Sequence, residues 1–505
     1  MSPPRGRATR APGPCSRHPC PAGLSASPGA GGRPRARRSD RVVVSCAVMV
    51  VRIEDVAPVV REAQYAVRGP IVARAQELER QGREVIYCNI GNPQSLGQRP
   101  LSWVRQVLAI AEWPELLERV PAGTFAADVV AVAREVLRGS EHGLGAYTES
   151  KGYHFVREAV AAFIRDRDGI EADAEHVYLT DGASKGVQSV LRLLVTDARD
   201  GILIPIPQYP LYSATITLYG GTAIPYHLDE SARWSLSLAD LERSFDQARA
   251  KGIRPRAICV INPGNPTGAV LDEANVEDVL RFARERGLAV LADEVYQANV
   301  YLPGDRFVSF ASVLERLGFR DVSLFSFHSV SKGFLGECGQ RGGYLECRNV
   351  PAAVMDEITK LQSIALCANS AGQIVTYLLV RPPRPGEPSH ATYVRERDEV
   401  LESLRRRAAL LERGLSAIPG ITCNPVAGAM YAFPRISLPE GATDSEWCLG
   451  LLEETGICVV PGSGFGQQPG TWHFRTTILP PVDRLEAVVE RIGRFHRSFC
   501  ERRAR

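Results

Sequence analysis

The sequence has no apolar run long enough to cross a membrane. Its longest, Val42 to Val51, spans ten residues and contains Ser45 and Cys46, about half of what a spanning helix needs. The twelve cysteines include no C-x-x-C pair, and no Cys/His spacing suits zinc, which excludes a structural zinc module and leaves no metal ligand to expect. They read as reduced thiols of a reducing compartment, with Cys88, Cys259, Cys367 and Cys458 in apolar surroundings as core packing. Also missing is a basic stripe interleaved with aromatics, so nothing electrostatic points to nucleic acid. The net charge of +3 is unevenly spread: residues 1–40 hold eight arginines and one acid, Asp40, leaving 52 basic and 56 acidic residues, a net −4, in the remainder. No internal repeat is visible.

What is present is ordinary globular material. With 505 residues, 45% hydrophobic and 23% charged, the chain is long enough for two or three domains. Residues 1–50 are rich in Arg, Pro, Gly and Ser and lack an apolar period, so they are set apart from the fold as an extension or transit peptide. That reading puts the protein in a mitochondrial or plastid matrix; a start at Met49 would leave it cytoplasmic. Residues 51–139 are expected to form an N-terminal arm and part of a smaller domain, 140–380 a large domain, and 381–505 a C-terminal small domain beyond the Pro382–Pro388 linker.

Within the large domain, short continuous apolar strands alternate with amphipathic helices. Strands are predicted at 177–180, 201–204, 257–261, 288–292 and 321–327, with 344–347 as a further candidate, and helices begin near Gly182 and over 273–286. This pattern predicts an α/β fold whose mostly parallel sheet is covered by helices on both faces, joined to a smaller α+β domain. A helix over Val56–Gln81, broken at Gly69-Pro70, and a long charged helix over Tyr393–Ala417 complete the outline.

Three predicted strands end in polar groups of complementary kinds. Asn262-Pro263-Gly264-Asn265-Pro266-Thr267-Gly268 fixes Asn265 as a rigidly placed amide. Asp293 closes the next apolar strand, where a carboxylate is costly without a cationic partner, and Tyr296 follows three residues later. Ser329-Val330-Ser331-Lys332 then brings a lysine to the carboxyl edge of the sheet, where open α/β sheets hold ligands. An aspartate for a pyridinium nitrogen, an amide and a phenol for a ring oxygen, and a lysine for an aldehyde describe a pyridoxal phosphate site. The turn Gly182-Ala183-Ser184, with Ser329 and Arg341, offers the N–H groups, hydroxyls and cation that a phosphate requires.

From about residue 53 to 499 the sequence resembles the class I/II pyridoxal-phosphate aminotransferases of fold type I, and among them the alanine aminotransferases. The resemblance rests on Arg68-Gly69-Pro70-Ile71-Val72, Ile90-Gly91-Asn92-Pro93-Gln94, Gly97-Gln98-Arg99-Pro100, the run Ile204 to Ala214, the Asn262 to Gly268 loop, Asp293 to Gln297, Gly336 to Tyr344 and Phe474 to Pro481. It implies that Lys332 carries the cofactor as a Schiff base and moves protons, that Asp293 meets the pyridine nitrogen, and that Asn265 and Tyr296 contact the ring oxygen. Tyr209 is then the residue stacked on the ring, and Ala183, Ser184, Ser329 and Arg341 hold the phosphate. Tyr147 joins them from the other subunit of a homodimer. Arg475 is implied as the substrate-carboxylate arginine, in accord with the bidentate fit of guanidinium to carboxylate, with Gly91 and Asn265 lining the same pocket. Lys185, the segment Ile364 to Ser370 and the proline-free Phe125-Ala126-Ala127-Asp128 depart from the alanine-aminotransferase pattern.

The activity implied is ping-pong transamination between amino acids and 2-oxo acids, L-alanine and 2-oxoglutarate giving pyruvate and L-glutamate. Glutamate:glyoxylate transamination shares most of these motifs. A pyridoxal-dependent lyase of the aminocyclopropane-carboxylate synthase kind would use a similar site without a 2-oxo acid acceptor. A non-catalytic relative is disfavoured because Lys332 and Arg475 are both present.

Overall fold

The computed structural model of the chain describes residues 51–65 and 69–503. The expected targeting extension and Arg68 lie outside the described residues. Residues 51–55 belong to a unit of their own with a 3-10 turn at Ile53–Asp55, and the compact unit that holds the sheet begins at Val56. In chain order the strands are β1 (Ile86–Tyr87), β2 (Val177–Leu179), β3 (Asp200–Ile206), β4 (Thr222–Asp229), β5 (Ser235–Leu236), β6 (Arg254–Ile261), β7 (Ala289–Asp293), β8 (Leu324–Ser329) and β9 (Gly343–Arg348). The C-terminal part adds β10 (Ile421–Thr422), β11 (Tyr431–Ala432), β12 (Arg435–Ile436), β13 (Ile457–Cys458), β14 (Val460–Pro461) and β15 (Phe474–Thr477).

Strands β2 to β9 form one eight-stranded sheet in the order β2-β9-β8-β7-β6-β3-β4-β5. The central five, β8-β7-β6-β3-β4, are parallel; β9 runs antiparallel to both β8 and β2, and β5 antiparallel to β4. The sheet is therefore mixed and mostly parallel, as the alternation of strands and helices predicts. Its central strands, β6 from Ala257, β7 and β8, are almost wholly buried because both faces are covered. In β6, Ala257, Cys259 and Ile261 join one core cluster while Ile258 and Val260 join another, and β7 divides Leu291 from Val290 and Ala292 in the same way.

The helices that cover the sheet have local causes. Glu273–Arg286 starts where Asp272 accepts a hydrogen bond from the Asn275 amide at 2.8 Å and stops at Gly287, whose φ of 66° is the left-handed cap; such an N-cap is worth about 1 kcal/mol. Its Val276, Val279, Leu280 and Ala283 are buried, and full burial of a Val or Leu side chain contributes roughly 1.5–3 kcal/mol. The bounds match the sequence expectation. The helix expected over 56–81 is broken at Gly69-Pro70 as predicted, into Pro58–Glu62 and Pro70–Arg80, since Pro70 can open a helix but not continue one; the first piece ends earlier than expected. β8 begins at Leu324, three residues later than predicted. β4, β5 and the helices Leu211–Leu218 and Leu238–Ala250 had no counterpart in the sequence outline. The long charged helix runs from His390 to Ser416.

The segment before residue 140 divides its packing. Helix Pro70–Arg80 buries Ala75 and Leu78 against Leu452 and Cys458, and β1 pairs in parallel with β13. Helices Ser102–Glu112 and Ala127–Gly139 instead share a core with His154–Asp168 and Ser370–Val380 beside the large sheet. A three-stranded antiparallel sheet, β11-β15-β14, lies in the C-terminal part. Cys88, Cys259 and Cys458 are buried as expected, whereas Cys367 is only half-buried, since it follows the exposed Leu366 at the end of a helix. No helix among the described residues is long and apolar enough to cross a membrane.

Candidate active site

The parallel register of the central strands sets the site. Ile261 of β6 pairs with Asp293 of β7, which pairs with Phe327 of β8, so the chain leaves all three strands at one level and on one edge. Ten of the expected residues line a single cavity of about 1380 Å³ along that edge: Gly91, Ala183, Ser184, Tyr209, Asn265, Asp293, Tyr296, Ser329, Lys332 and Arg341.

At the floor, Asp293 is fully buried. One carboxylate oxygen accepts the Tyr212 hydroxyl at 3.0 Å, and the other, Oδ1, is buried with no partner. Burial pushes the carboxyl up to about 6, against the opposing pull of the Tyr212 hydroxyl, the Val295 backbone N–H and the Lys332 charge. A buried, unpaired acceptor of this kind calls for a cationic N–H, and a protonated pyridine nitrogen meets that need. Lys332 donates from Nζ to the Gly91 carbonyl at 2.5 Å.

The phosphate side is equally explicit. Helix Ala183–Leu194 opens after Gly182 with no side-chain cap, so its first N–H groups are free for an anion. Arg341 reaches across them: Nη2 donates to Ser184 Oγ at 3.4 Å and to the Asp181 carbonyl at 2.9 Å, and Nη1 to the Cys338 carbonyl at 3.0 Å. Ser329 and Ser331 are joined by their hydroxyls at 2.9 Å. A Cβ on residue 182 would lie 2.6 Å from Arg341 Nη2, and its φ is 73°, so glycine is required there on both counts. The donor set of hydroxyls, helix N–H groups and one guanidinium fits a phosphate.

The loop after β6 carries cis peptide bonds before Pro263 and Pro266. In it Asn265 Oδ1 accepts from Arg475 Nη1 at 3.3 Å, which leaves Asn265 Nδ2 as the donor for a ring oxygen. Burial holds the phenols of Tyr209, Tyr212 and Tyr296 well above their ordinary value, so all three stay protonated hydrogen-bond donors. Tyr209 also meets Tyr65, hydroxyl to hydroxyl, at 3.0 Å.

Arg475 does not line the cavity; it lies behind Asn265 and Tyr431, which do. It is 1% exposed. Nη2 donates to the Asn89 carbonyl at 2.6 Å, and Nε is buried with no partner. The rings of Tyr431 and Phe465 lie 4.3 and 4.6 Å from the guanidinium carbon. With Nη1 on Asn265 and Nη2 on Asn89, Nε is the guanidinium nitrogen left without a partner for a carboxylate. Tyr147 is 79% exposed and away from this cavity, so within one chain it touches none of these groups.

Several residues at the site escape a sequence reading. Tyr212 sits one helical turn after Tyr209 in the run Ile204 to Ala214, and that spacing was its only signal. Ser331 could have been found as the second hydroxyl of the Ser-Val-Ser-Lys turn. Asn89, Phe465 and Tyr431 carry no such local mark, because a chain segment 386 residues away, a separate turn and a short strand pair bring them to Arg475 only in the folded chain.

The family described as Aminotransferase class I and II matches residues 121–492. The chain is 50% identical over 477 residues to a probable mitochondrial alanine aminotransferase of Dictyostelium discoideum, covering 89% of each. It is 49% identical over 454 residues to glutamate–glyoxylate aminotransferase 1 of Arabidopsis thaliana, covering 87% of this chain and 94% of that one. Among solved structures, an alanine aminotransferase of Pyrococcus furiosus superposes with a TM-score of 0.73 at 27% identity, covering 88% of this chain and 100% of the other. An edge-lysine cavity on a mostly parallel sheet and a match over well over half the length lead to one conclusion: the chain belongs to the aminotransferase class I and II family.

Proposed function

We propose that the chain is a pyridoxal 5'-phosphate-dependent alanine transaminase, converting L-alanine and 2-oxoglutarate to pyruvate and L-glutamate in a ping-pong cycle at one site. The observation that carries this reading is that two residues of the site keep buried, unpartnered groups of opposite kind, the acceptor Asp293 Oδ1 and the donor Arg475 Nε, with Asp293 and Lys332 on the same cavity. The cofactor supplies an aldehyde for the substrate nitrogen and a ring that takes up electrons from the α-carbon. Asp293 keeps a proton on the ring nitrogen, and Asn265 and Tyr296 donate to the ring oxygen. Arg341, Ser184, Ser329 and the amides at Ala183 hold the phosphate, and Tyr209 covers the ring. Arg475 fixes the α-carboxylate by its open edge. Lys332 Nζ is the base that takes the proton from the substrate's α-carbon.

The amino donor carries a second reading. Relatives of nearly equal identity bear the names alanine aminotransferase and glutamate–glyoxylate aminotransferase. A matrix of amino donors against 2-oxo acids with the purified enzyme decides between them. Alanine with 2-oxoglutarate is expected to give the highest kcat/KM; glutamate with glyoxylate outrunning it would install the second reading. Product formed without any 2-oxo acid would replace both with a lyase.

The working form is proposed to be a homodimer in which Tyr147 reaches the phosphate side of the second copy. Tyr147 shares an exposed apolar patch with Ile364, 76% exposed, and Leu366, 53% exposed; Ser150 and Ser363 join their segments by a 2.9 Å hydrogen bond. We place the protein in mitochondria, on the arginine-rich, acid-poor composition of residues 1–50 and the mitochondrial name of a relative. A fluorescent fusion of residues 1–50 tests that placement.

A further inference from the structure

Tyr431 belongs to no motif of the site, yet its ring packs on the Arg475 guanidinium and its hydroxyl shares the space over Gly91 with the Lys332 nitrogen. It sits on β11 opposite Thr477, with Ala432 opposite Thr476, so the antiparallel pairing sets it alongside Arg475 on β15. Its ring lies 4.3 Å from the Arg475 guanidinium carbon and edge-on to Tyr296, centroid to centroid 6.2 Å at 81°. Its hydroxyl fills the space over Gly91. A Cβ there would be 1.8 Å from Tyr431 Oη and 3.0 Å from Lys332 Nζ. The phenol oxygen and the lysine nitrogen thus crowd the same point from two sides.

We propose that Tyr431 is a positioning residue with two separable tasks: its ring keeps Arg475 edge-on to the substrate carboxylate, and its hydroxyl oxygen orients the Lys332 nitrogen. The first task follows from the pairing with Phe465. Rings against the guanidinium hold it by cation–π attraction, and Nε is the nitrogen left without a partner for a carboxylate to meet. The second follows from counting hydrogens. Once the Lys332 cation has given up its third proton, as a base must, its amine has two N–H groups and one lone pair. The Gly91 carbonyl accepts one N–H, and a second acceptor at the Tyr431 oxygen would take the other, leaving the lone pair aimed into the cavity where a base must act.

The surroundings suit an acceptor. The titratable and charged groups facing the phenol are Lys332, Arg475, Tyr296, Tyr209 and Cys338. Burial would raise its proton affinity, but the Lys332 and Arg475 charges and the Tyr296 hydroxyl together outweigh burial and lower it. The groups that lower it are two cations and a hydroxyl, all of them donors that an oxygen at this point can accept from.

The inference rests on the transaminase reading, and the two fail differently: absence of turnover in the unaltered holoenzyme sinks that reading, whereas the inference is decided by variants. In purified holoenzyme, Tyr431→Phe keeps the ring and removes the oxygen. It is expected to lower kcat by about tenfold or more with KM within about twofold, and to move the pH midpoint of the bound cofactor's visible absorption downward, since the cationic nitrogen loses a neighbouring oxygen dipole. Tyr431→Leu removes the ring and is expected to raise KM for both substrates by about tenfold; retention of the visible band reports that the site is assembled. If that variant does not fold, Phe465→Leu tests the same task from Phe465 and is expected to raise KM likewise. A Tyr431→Phe enzyme with unchanged kcat and unchanged midpoint overturns the orienting task. A ring-removed enzyme with unchanged KM overturns the other.

Discussion

Replacing Asp293 by Asn should stabilise the cofactor-free protein while abolishing its chemistry. The carboxyl is fully buried, and burial is the largest influence on it, carrying it from 3.8 to about 6. Two units correspond to about 3 kcal/mol, at about 1.4 kcal/mol per unit. The sign follows from proton uptake. Above about 6 the group is ionised in both folded and unfolded chains, and the whole penalty is present. As pH falls through that value the folded state binds a proton first, so the penalty shrinks and is gone once pH lies below 3.8. Asn is neutral at every pH and keeps an oxygen for the Tyr212 hydroxyl. Urea unfolding of cofactor-free enzyme, followed by circular dichroism, should therefore find Asp293→Asn more stable by about 3 kcal/mol at about pH 8, with roughly half of that left at about pH 5. Saturating cofactor should stabilise the parent far more than the variant, because only the parent offers an ionised partner to the ring nitrogen. A variant less stable than the parent at the higher pH, or a gap that does not narrow on acidification, would refute the argument.

Lys332→Ala should lose the visible absorption of covalently attached cofactor and nearly all turnover; normal transamination by this variant would sink the site assignment. Arg475→Lys keeps the charge but not the fork, and should lower kcat/KM for both substrates by about 100-fold with the cofactor band intact; loss of the band instead would move Arg475 out of the substrate pocket. Gly91→Ala places a methyl group 1.8 Å from Tyr431 Oη and 3.0 Å from Lys332 Nζ. It should lower kcat by about 100-fold, and parental kinetics would show that the space over Gly91 is not used.

The parts of the fold that were legible in the sequence are those with local causes. The helix over Glu273–Arg286 announces itself by Asp272 before it, Gly287 after it and an apolar stripe between. β6, β7 and β8 are runs of apolar residues that no surface strand could carry. Strand direction is another matter. β9 reads as one more short apolar strand, and nothing in Tyr344-Leu345-Glu346-Cys347 says that it runs antiparallel to both β8 and β2. The eight-residue β4 was missed because its burial is partial and irregular: at this end of the sheet, beside the two-residue β5, a strand need not be apolar.

The site divides along the same line. Asn265, Asp293, Ser329 and Lys332 could be placed together from sequence because each lies at or shortly beyond the end of a parallel strand, and parallel strands in register end on the same edge. Chain position alone then implies proximity. Arg475 and Tyr431 have no such rule. They meet on a sheet of strands two to four residues long, too short to show a period, and their pairing is visible only in the folded chain. Phe465 reaches Arg475 from a separate turn, and Asn89 from 386 residues away. The division has a physical consequence. The large sheet holds the groups expected to bind a cofactor in place whether or not substrate is present, whereas the guanidinium expected to meet substrate depends on the packing of the C-terminal part. Variants that loosen that packing without touching the β6–β8 edge should raise KM before they loosen cofactor, which is the pattern expected when binding and chemistry rest on separately built halves of one site.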